Sequence, residues 1–198
     1  MSTQKIPSLD LADFLSTETK KKQKFVELLG KAYTEIGFVA IKNHEIPQET
    51  IDLLYKKIKQ FFDLPLETKI KYEIENIGGQ RGYTSFGKEH AKNSTEGDLK
   101  EFWHFGQSKN SDSKESYLEN IYVDEIPDFL VMGNTAYNAF EKAGFKILNA
   151  IALYLGLDEV YFTEFVTNGN SILRPIHYPP ITNKNTNAVR AGEHEDIN

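Results

Sequence analysis

The sequence contains no cysteine in its 198 residues. This absence excludes disulfide bonds, zinc–thiolate sites, iron–sulfur clusters and a thiol nucleophile. Any bound metal ion must therefore be held by histidine, aspartate or glutamate side chains. The sequence also lacks an apolar run behind Met1–Lys5 and any segment with the length of a membrane span. We therefore expect a cytoplasmic protein with no membrane partner.

Positively charged residues are fewer than negatively charged ones. Lys and Arg number 23 against 29 Asp and Glu, so the formal net charge is -6. A chain of this charge repels a phosphate backbone, and we expect no nucleic-acid partner. The residues that are present, 39% of them apolar and 26% charged, are typical of a soluble globular protein with a sizeable core.

The hydrophobic periodicity predicts an α+β chain. Apolar residues three and four apart predict a first long helix that starts near 17–19 and ends before Gly37, and further helices over about 47–62, 65–74, 128–155 and 158–166. Runs of β-branched and aromatic residues predict strands over 38–41, 98–105, 171–178 and 188–196, the first of them buried. In the second of these strands, alternation places Glu101, Trp103 and Phe105 on one face and Phe102 and His104 on the other.

The candidate metal ligands are His194 and Asp196 in the last predicted strand. Residues two apart in a strand point to the same face, so an imidazole and a carboxylate project together there. Such a pair suits a divalent transition metal, and two histidines with one carboxylate are the ligand set of non-haem Fe(II) oxygenases. The alternative interpretation is a surface histidine in an acidic strand, because His-x-Asp is a short pattern.

A glycine-rich passage covers residues 78–87. It lacks the Lys-Ser/Thr of a P-loop and the Gly-x-Gly-x-x-Gly pattern, which argues against a phosphate cradle. It is either an irregular loop on the substrate side or a plain connector, and its Arg81 is either a carboxylate partner or a structural residue. His104, within an aromatic strand, is either a packed and hydrogen-bonded side chain or a functional one.

Five blocks of the sequence resemble the isopenicillin N synthase-like family of Fe(II)/2-oxoglutarate-dependent oxygenases, in the family's order and spacing. The blocks are Ile6-Pro7-Ser8-Leu9-Asp10-Leu11, Gly37-Phe38-Val39-Ala40-Ile41-Lys42-Asn43-His44, Arg81-Gly82-Tyr83 with Asp98-Leu99-Lys100-Glu101, Tyr178-Pro179-Pro180, and His194-Glu195-Asp196. One block departs from the family pattern. The family's Asn-Tyr-Tyr-Pro reads Ile176-His177-Tyr178-Pro179 here, and the isoleucine side chain cannot hydrogen-bond a co-substrate.

The resemblance implies a helical and β N-terminal region over residues 1–105. Residues 106–198 would then supply a long backing helix and the first strands of a double-stranded β-helix, or jelly roll, in one structural unit with the first region. In the family, the third iron ligand and an Arg-x-Ser clamp for the co-substrate lie several strands after His-x-Asp. The resemblance therefore implies an incomplete jelly roll and a chain that is the front portion of a longer oxygenase.

The resemblance also assigns roles to individual residues. His194 and Asp196 would be two of the three Fe(II) ligands, and Tyr178 would hydrogen-bond the co-substrate. The residues expected on the substrate side are Arg81, Tyr83, Ser85, Phe102 and His104. His177, next to Tyr178 in an expected strand, points to the opposite face and is not expected to bind the metal.

The function that the resemblance implies is hydroxylation, or a related C–H oxidation, of a small molecule by O2. Fe(II) and 2-oxoglutarate would be the cofactors, with ascorbate as a reductant, and the keto acid would leave as succinate and CO2. Two alternatives stay open: an Fe(II) oxidase of the same family that works without 2-oxoglutarate, and a non-catalytic binding fragment. Because it offers two iron ligands, the 198-residue chain alone is expected to be inactive.

Overall fold

The computed structural model describes residues 5–89, 97–107, 117–167, 169–181 and 188–191. Over these ranges the chain is α+β, which confirms the prediction from periodicity. In chain order the elements are β1 (Ser8–Asp10), α1 (Leu11–Phe14), α2 (Thr19–Glu35), β2 (Ala40–Lys42), α3 (Gln48–Phe62), α4 (Leu66–Lys69), a 3-10 turn (Ile70–Tyr72), β3 (Gly82–Thr84), β4 (Glu101–Gly106), α5 (Phe129–Tyr154), α6 (Thr163–Val166), β5 (Ile172–Leu173) and β6 (Ile176–His177).

The chain forms two compact units that interleave along the sequence. The first unit is Met1–Ile51 with Asn138–Gly169, and the second is Asp52–Tyr137 with Asn170–Asn198. Two of the boundaries fall inside α3 and α5, and none lies near residue 105. The expected division into 1–105 and 106–198 stays a prediction.

The core of the first unit forms between α2, α1, β1 and the C-terminal part of α5. Phe25, Leu29 and Ala32 of α2 are buried, as their three- and four-residue spacing predicts. The helix ends just before Gly37, whose φ of 81° is the left-handed conformation that glycine adopts without strain. The predicted helix over 158–166 is reduced to the four residues of α6.

The strand predicted over 38–41 is present as β2, but the prediction that it is buried is wrong. β2 begins at Ala40, and the side chain of Phe38 is 67% exposed. In the described part of the chain β2 has β1 as its one partner, a parallel pairing with Leu9 opposite Ile41. One side of the strand packs on the core of the first unit through the half-buried Ile41, while Ala40 and Lys42 are exposed.

In the second unit, β4 is the central strand. β3 runs antiparallel along one of its edges, with Tyr83 opposite Trp103. β5 and β6 share the other edge, where Leu173 lies opposite Phe105 and Ile176 opposite Phe102. This arrangement fits part of a jelly roll, while the incompleteness of that jelly roll stays a prediction.

Proline explains why the strand predicted over 171–178 is split into β5 and β6. Pro175 lies between them and has no N–H to donate to β4. The ladder nevertheless continues past the gap, since the Trp103 amide donates to the Pro175 carbonyl at 3.0 Å. Residues 188–191 of the strand predicted over 188–196 form no strand, although the Leu99 amide donates to the Val189 carbonyl at 2.7 Å.

The core of the second unit is aromatic and lies on one face of β4. Trp103 and Phe105 point into it, as alternation predicts, and both are fully buried. The ring of Phe61 from α3 packs against that of Trp103 with 4.7 Å between centroids, and Phe129 of α5 packs edge-on against Trp103 at 4.9 Å.

None of the helices in the described ranges is long and apolar enough to cross a membrane.

Two glycines of α5 have very different surroundings. A Cβ at Gly133 would lie 2.1 Å from the ring of Phe105, whereas a Cβ at Gly144 would meet nothing within 4 Å. We expect Gly133→Ala to lower the free energy of unfolding by about 1–3 kcal/mol through overpacking. Gly144→Ala should raise it by up to about 1 kcal/mol, since alanine loses less backbone entropy in a helix.

Urea denaturation followed by circular dichroism measures both variants. The two substitutions add the same methyl group to the same helix, so propensity alone predicts equal stabilisation. A Gly133→Ala protein as stable as Gly144→Ala would contradict the close packing of α5 on Phe105.

Candidate active site

The pairing of β4 with β6 places the predicted site residues on two opposite faces of the sheet. Ile176 lies opposite Phe102 and His177 opposite Glu101. Paired residues share a face, so Phe102, His104 and Ile176 lie on one side. Tyr178 follows Ile176 by two residues and lies directly after β6. We call this side the site face, and the side of Glu101, Trp103 and Phe105 the core face.

The core face carries a buried carboxylate with three donors. Glu101 accepts hydrogen bonds from the Lys69 ammonium at 2.7 Å, the Tyr83 hydroxyl at 2.5 Å and Nδ1 of His177 at 2.8 Å. Burial by itself raises the pKa of Glu101, but these three hydrogen bonds outweigh it, and the pKa lies below its ordinary value. The carboxylate therefore stays ionised and joins α4, β3 and β6 to β4.

Tyr83 and His177 both belong to this carboxylate cluster. Tyr83 was expected on the substrate side, but its ring is buried on the core face and its hydroxyl is bound to Glu101. Burial raises the pKa of the Tyr83 hydroxyl, since the phenolate would be poorly solvated there. His177 also bonds Glu101, and its ring stacks on Phe62 at 5.1 Å between centroids. His177 thus points to the core face while Ile176 points to the site face, as strand alternation predicts.

The site face carries a second cluster, around His104. Its Nε2 accepts from Nε of Arg174 at 2.5 Å, so the imidazole proton sits on Nδ1, which donates to the Gly79 carbonyl at 2.5 Å. Burial lowers the pKa of His104 to about 4, because the bond to Gly79 offsets only part of the desolvation and the Arg174 charge lowers the pKa again. The Arg174 guanidinium also covers the ring of Phe102, 4.4 Å from its centroid.

Arg81 and Ser85 lie in internal hydrogen-bond networks. Arg81 is 1% exposed, and its three nitrogens donate to the carbonyls of Leu118 and Gln80 and to the side chain of Asn170. Ser85 donates from its amide and its hydroxyl to the Glu73 carboxylate at 3.1 to 3.2 Å. These contacts favour the structural interpretation of Arg81, and a substrate role for either residue stays a prediction.

The predicted iron ligands His194 and Asp196 lie outside the described residues. Within the ranges that the structure does describe, no three His, Asp or Glu side chains come together as a metal site. The chemistry of the predicted donor pair fits Fe(II), since a neutral imidazole and a carboxylate are borderline and hard ligands. Tyr178, predicted to contact the co-substrate, is exposed in the structure.

Sequence reasoning missed the roles of Glu101, Lys69 and Arg174. A charged residue next to the aromatic run Phe102-Trp103-His104-Phe105 was an available indication that Glu101 has a buried partner. The identity of that partner was not available, because Lys69 lies 32 residues away in the sequence and Arg174 lies 70 residues from His104.

Comparison with known families identifies the fold. Residues 6–127 match the family model described as non-haem dioxygenase in morphine synthesis, N-terminal. The chain belongs to the non-haem dioxygenases. A 2OG-Fe(II) oxygenase family protein from Caulobacter crescentus is 37% identical with a TM-score of 0.83, over 99% of this dioxygenase chain and 62% of that one.

Further relatives of the dioxygenase chain are fungal. Proline hydroxylase buaE of Petromyces alliaceus is 31% identical over 201 residues, which are 97% of this chain and 61% of the relative. A full-length Neurospora crassa protein, solved in complex with alpha-KG and thymine, is 26% identical with a TM-score of 0.78, over 96% of this chain and 62% of that one. The chain thus spans about three fifths of the length of these relatives.

The buried ion pair can be tested against an exposed pair of equal length. Lys69 and Glu101 are 2.7 Å apart with side chains 9% and 6% exposed, while Lys59 and Asp63 are 2.6 Å apart and 75% and 59% exposed. Glu101→Gln should cost about 3–5 kcal/mol of unfolding free energy, since it leaves Lys69 buried without a counter-charge. Asp63→Asn should cost less than about 1 kcal/mol.

Urea denaturation at pH 7 measures both losses. If Lys69→Met combined with Glu101→Gln is as unstable as Glu101→Gln alone, the loss does not come from the uncompensated ammonium. We expect the double variant to recover part of the lost stability.

His104 should make stability depend on pH. Its pKa is about 4 in the fold and 6.5 for an unperturbed histidine, so between these values the unfolded chain binds more protons. The unfolding free energy should therefore rise with pH across this window, by about 1.4 kcal/mol per pH unit and about 3 kcal/mol in all. Denaturation midpoints at pH 4 to 7 measure the slope.

His104→Gln is the matched variant, because its amide oxygen can still accept from Arg174 but does not titrate. The unfolding free energy of His104→Gln should not show the increase with pH that His104 causes between pH 4 and 6.5. Equal slopes in the two proteins would mean that His104 is protonated at its ordinary pKa in the fold.

Proposed function

We propose that this chain forms the N-terminal region and part of the metal site of an Fe(II)- and 2-oxoglutarate-dependent oxygenase that oxidises a C–H bond of a small molecule. The observation that carries the proposal is the likeness of 99% of the chain to a 2OG-Fe(II) oxygenase family protein, at 37% identity and a TM-score of 0.83. Within the family we propose the isopenicillin N synthase-like group and a jelly roll of which these residues supply the first strands.

We assign His194 and Asp196 as two iron ligands, and we do not assign the third ligand to any of these 198 residues. Tyr178 lies at the end of β6, beside Pro179, and its hydroxyl would donate to a carboxylate of the keto acid. The Glu101–His177 bond holds β6 on β4 from the core face, so the direction of Tyr178 is set by a rigid neighbour.

Fe(II) and 2-oxoglutarate supply the oxidising chemistry when bound, with succinate and CO2 as products of the keto acid. The residues of this chain orient the reactants and exclude water. Phe102 and His104 are buried beneath Arg174, which gives the site face a dry base next to the strand that carries Tyr178. The protein's contribution is therefore position and shielding.

Ile176 favours a second candidate, an Fe(II) oxidase of the same family that works without 2-oxoglutarate. Its side chain occupies the site face next to Tyr178, where the family pattern has a hydrogen-bonding asparagine. The two candidates differ in whether 2-oxoglutarate changes the visible spectrum of the iron-bound protein. A third, a non-catalytic binding fragment, predicts no stoichiometric iron.

Anaerobic titration of Fe(II), with and without 2-oxoglutarate, tests the proposal on the protein from its natural source. We expect one iron per chain and a visible charge-transfer band that requires the keto acid. The band should be lost in His194→Ala, because two ligands hold Fe(II) weakly. The 198-residue chain alone should show neither stoichiometric iron nor the band.

Stoichiometric iron without the keto-acid band would favour the 2-oxoglutarate-independent oxidase. Absence of stoichiometric iron in the natural protein would contradict both enzymatic candidates. His44→Ala is a matched control: its ring Nδ1 accepts from the amide of Ile46 two residues away, and its loss should leave the band intact.

A further inference from the structure

The segment that follows α5 presents a group of exposed apolar side chains. Val160, Tyr161 and Phe165 are 59%, 44% and 62% exposed, and the rings of Tyr161 and Phe165 lie 5.5 Å apart between centroids. We call these three residues the α6 patch. They present on the order of 300 Å² of mostly apolar surface, since one aromatic side chain alone has about 150–250 Å². Apolar patches of about 300–600 Å² on soluble proteins are often functional.

Glu159 holds the α6 patch in place. Its carboxylate accepts from the Lys22 ammonium of α2 at 2.7 and 2.9 Å, and its carbonyl accepts from the side-chain amide of Asn149 in α5 at 3.0 Å. Backbone hydrogen bonds of successive turns run through residues 158–167. The exposed rings are therefore carried by a fixed backbone, and a partner that covers them loses little conformational entropy in ordering it.

Charges of both signs border the α6 patch. Asp158 and Glu164 are exposed carboxylates of the same segment, and neither has a cationic partner in the ranges that the structure describes. The Lys22–Glu159 pair brings the first turns of α2 beside this segment. On α2, Lys21 and Lys24 are exposed and three residues apart, so they share a face of the helix. The patch thus has an acidic border from its own segment and a basic border from α2.

An apolar centre with one acidic and one basic border is complementary to itself. In a dimer with a two-fold axis both copies use the same surface, and each contact occurs twice. With the axis through the α6 patch, the lysines of one copy face the carboxylates of the other. A partner of uniform charge would instead meet one border of its own sign.

The size of the surface also fits a dimer. A standard interface uses about 800 Å² on each partner, and a little over half of that area is apolar. The α6 patch supplies most of such an apolar centre, and the charged residues of α2 and of the α6 segment supply the polar rim.

We propose that the α6 patch is the centre of a two-fold interface between two copies of this chain, with Lys24 of each copy opposite Glu164 of the other. The interface contains no residue of the site face. It therefore stands apart from the proposed chemistry.

Sedimentation equilibrium across the micromolar concentration range measures the association. The 198-residue protein and the protein from its natural source are measured side by side. We expect both to show a reversible equilibrium between one chain and two, with no larger species.

Phe165→Asp should weaken the dimer at least about tenfold, because it places a charge at the apolar centre of the interface. Tyr55→Asp is the matched control: Tyr55 is 73% exposed on α3, outside the α6 patch, and the change adds the same charge. Its dimer should be as stable as that of the unchanged protein. Both replaced side chains are exposed, and circular dichroism checks that both variants are folded.

The charged borders provide a second test that leaves the apolar residues unchanged. Lys24→Glu and Glu164→Lys should each weaken the dimer at least about fivefold, since like charges then face each other at two equivalent places. The two changes combined should restore the affinity, because opposite charges face each other again. In the unchanged protein, hydrogen exchange of the amides in 159–167 should slow as the concentration rises, while exchange in α3 should not change.

A single chain at every concentration, in either of the two proteins, would overturn the proposal. So would association that continues beyond two copies, a Phe165→Asp dimer as stable as the unchanged one, or a combined charge exchange that restores nothing. These measurements use no iron and no 2-oxoglutarate, so their failure leaves the oxygenase assignment as it stands.

Discussion

The carboxylate of Glu101 is the interaction on which the second unit depends. It is an ionised group inside an aromatic core, and three donors from three different elements compensate the loss of water: Lys69, Tyr83 and His177. A buried network of this kind is strong only when every member is satisfied. It therefore fixes one arrangement of α4, β3 and β6 around β4, more specifically than packing of apolar side chains alone.

The geometry of a strand carries this constraint through to the other side of the sheet. Because side chains alternate, anchoring Glu101 and His177 on the core face directs Phe102, His104 and Ile176 to the site face. The second cluster, from Gly79 through His104 to Arg174 and Glu89, then orients the residues exposed there. Two polar networks on opposite faces of β4 thus hold the strand and its neighbours from both sides.

The histidines illustrate the division between structure and chemistry. In the described ranges His44, His104 and His177 each have a ring nitrogen in a hydrogen bond within the chain. None of them belongs to a cluster of three potential metal ligands there.

Local patterns in the sequence determined the α+β class, the buried stripe of α2 and the alternation of faces in β4, since each depends on residues within a few positions of one another. The family was recognisable from short blocks in a fixed order. Only the tertiary structure decided that β2 is not buried, that Tyr83 faces the core, and that Arg81 is buried in a hydrogen-bond network. Burial and hydrogen-bond partners are set by residues that are far apart in the chain. A local sequence pattern does not tell which distant residue will pack on a side chain or form a hydrogen bond with it.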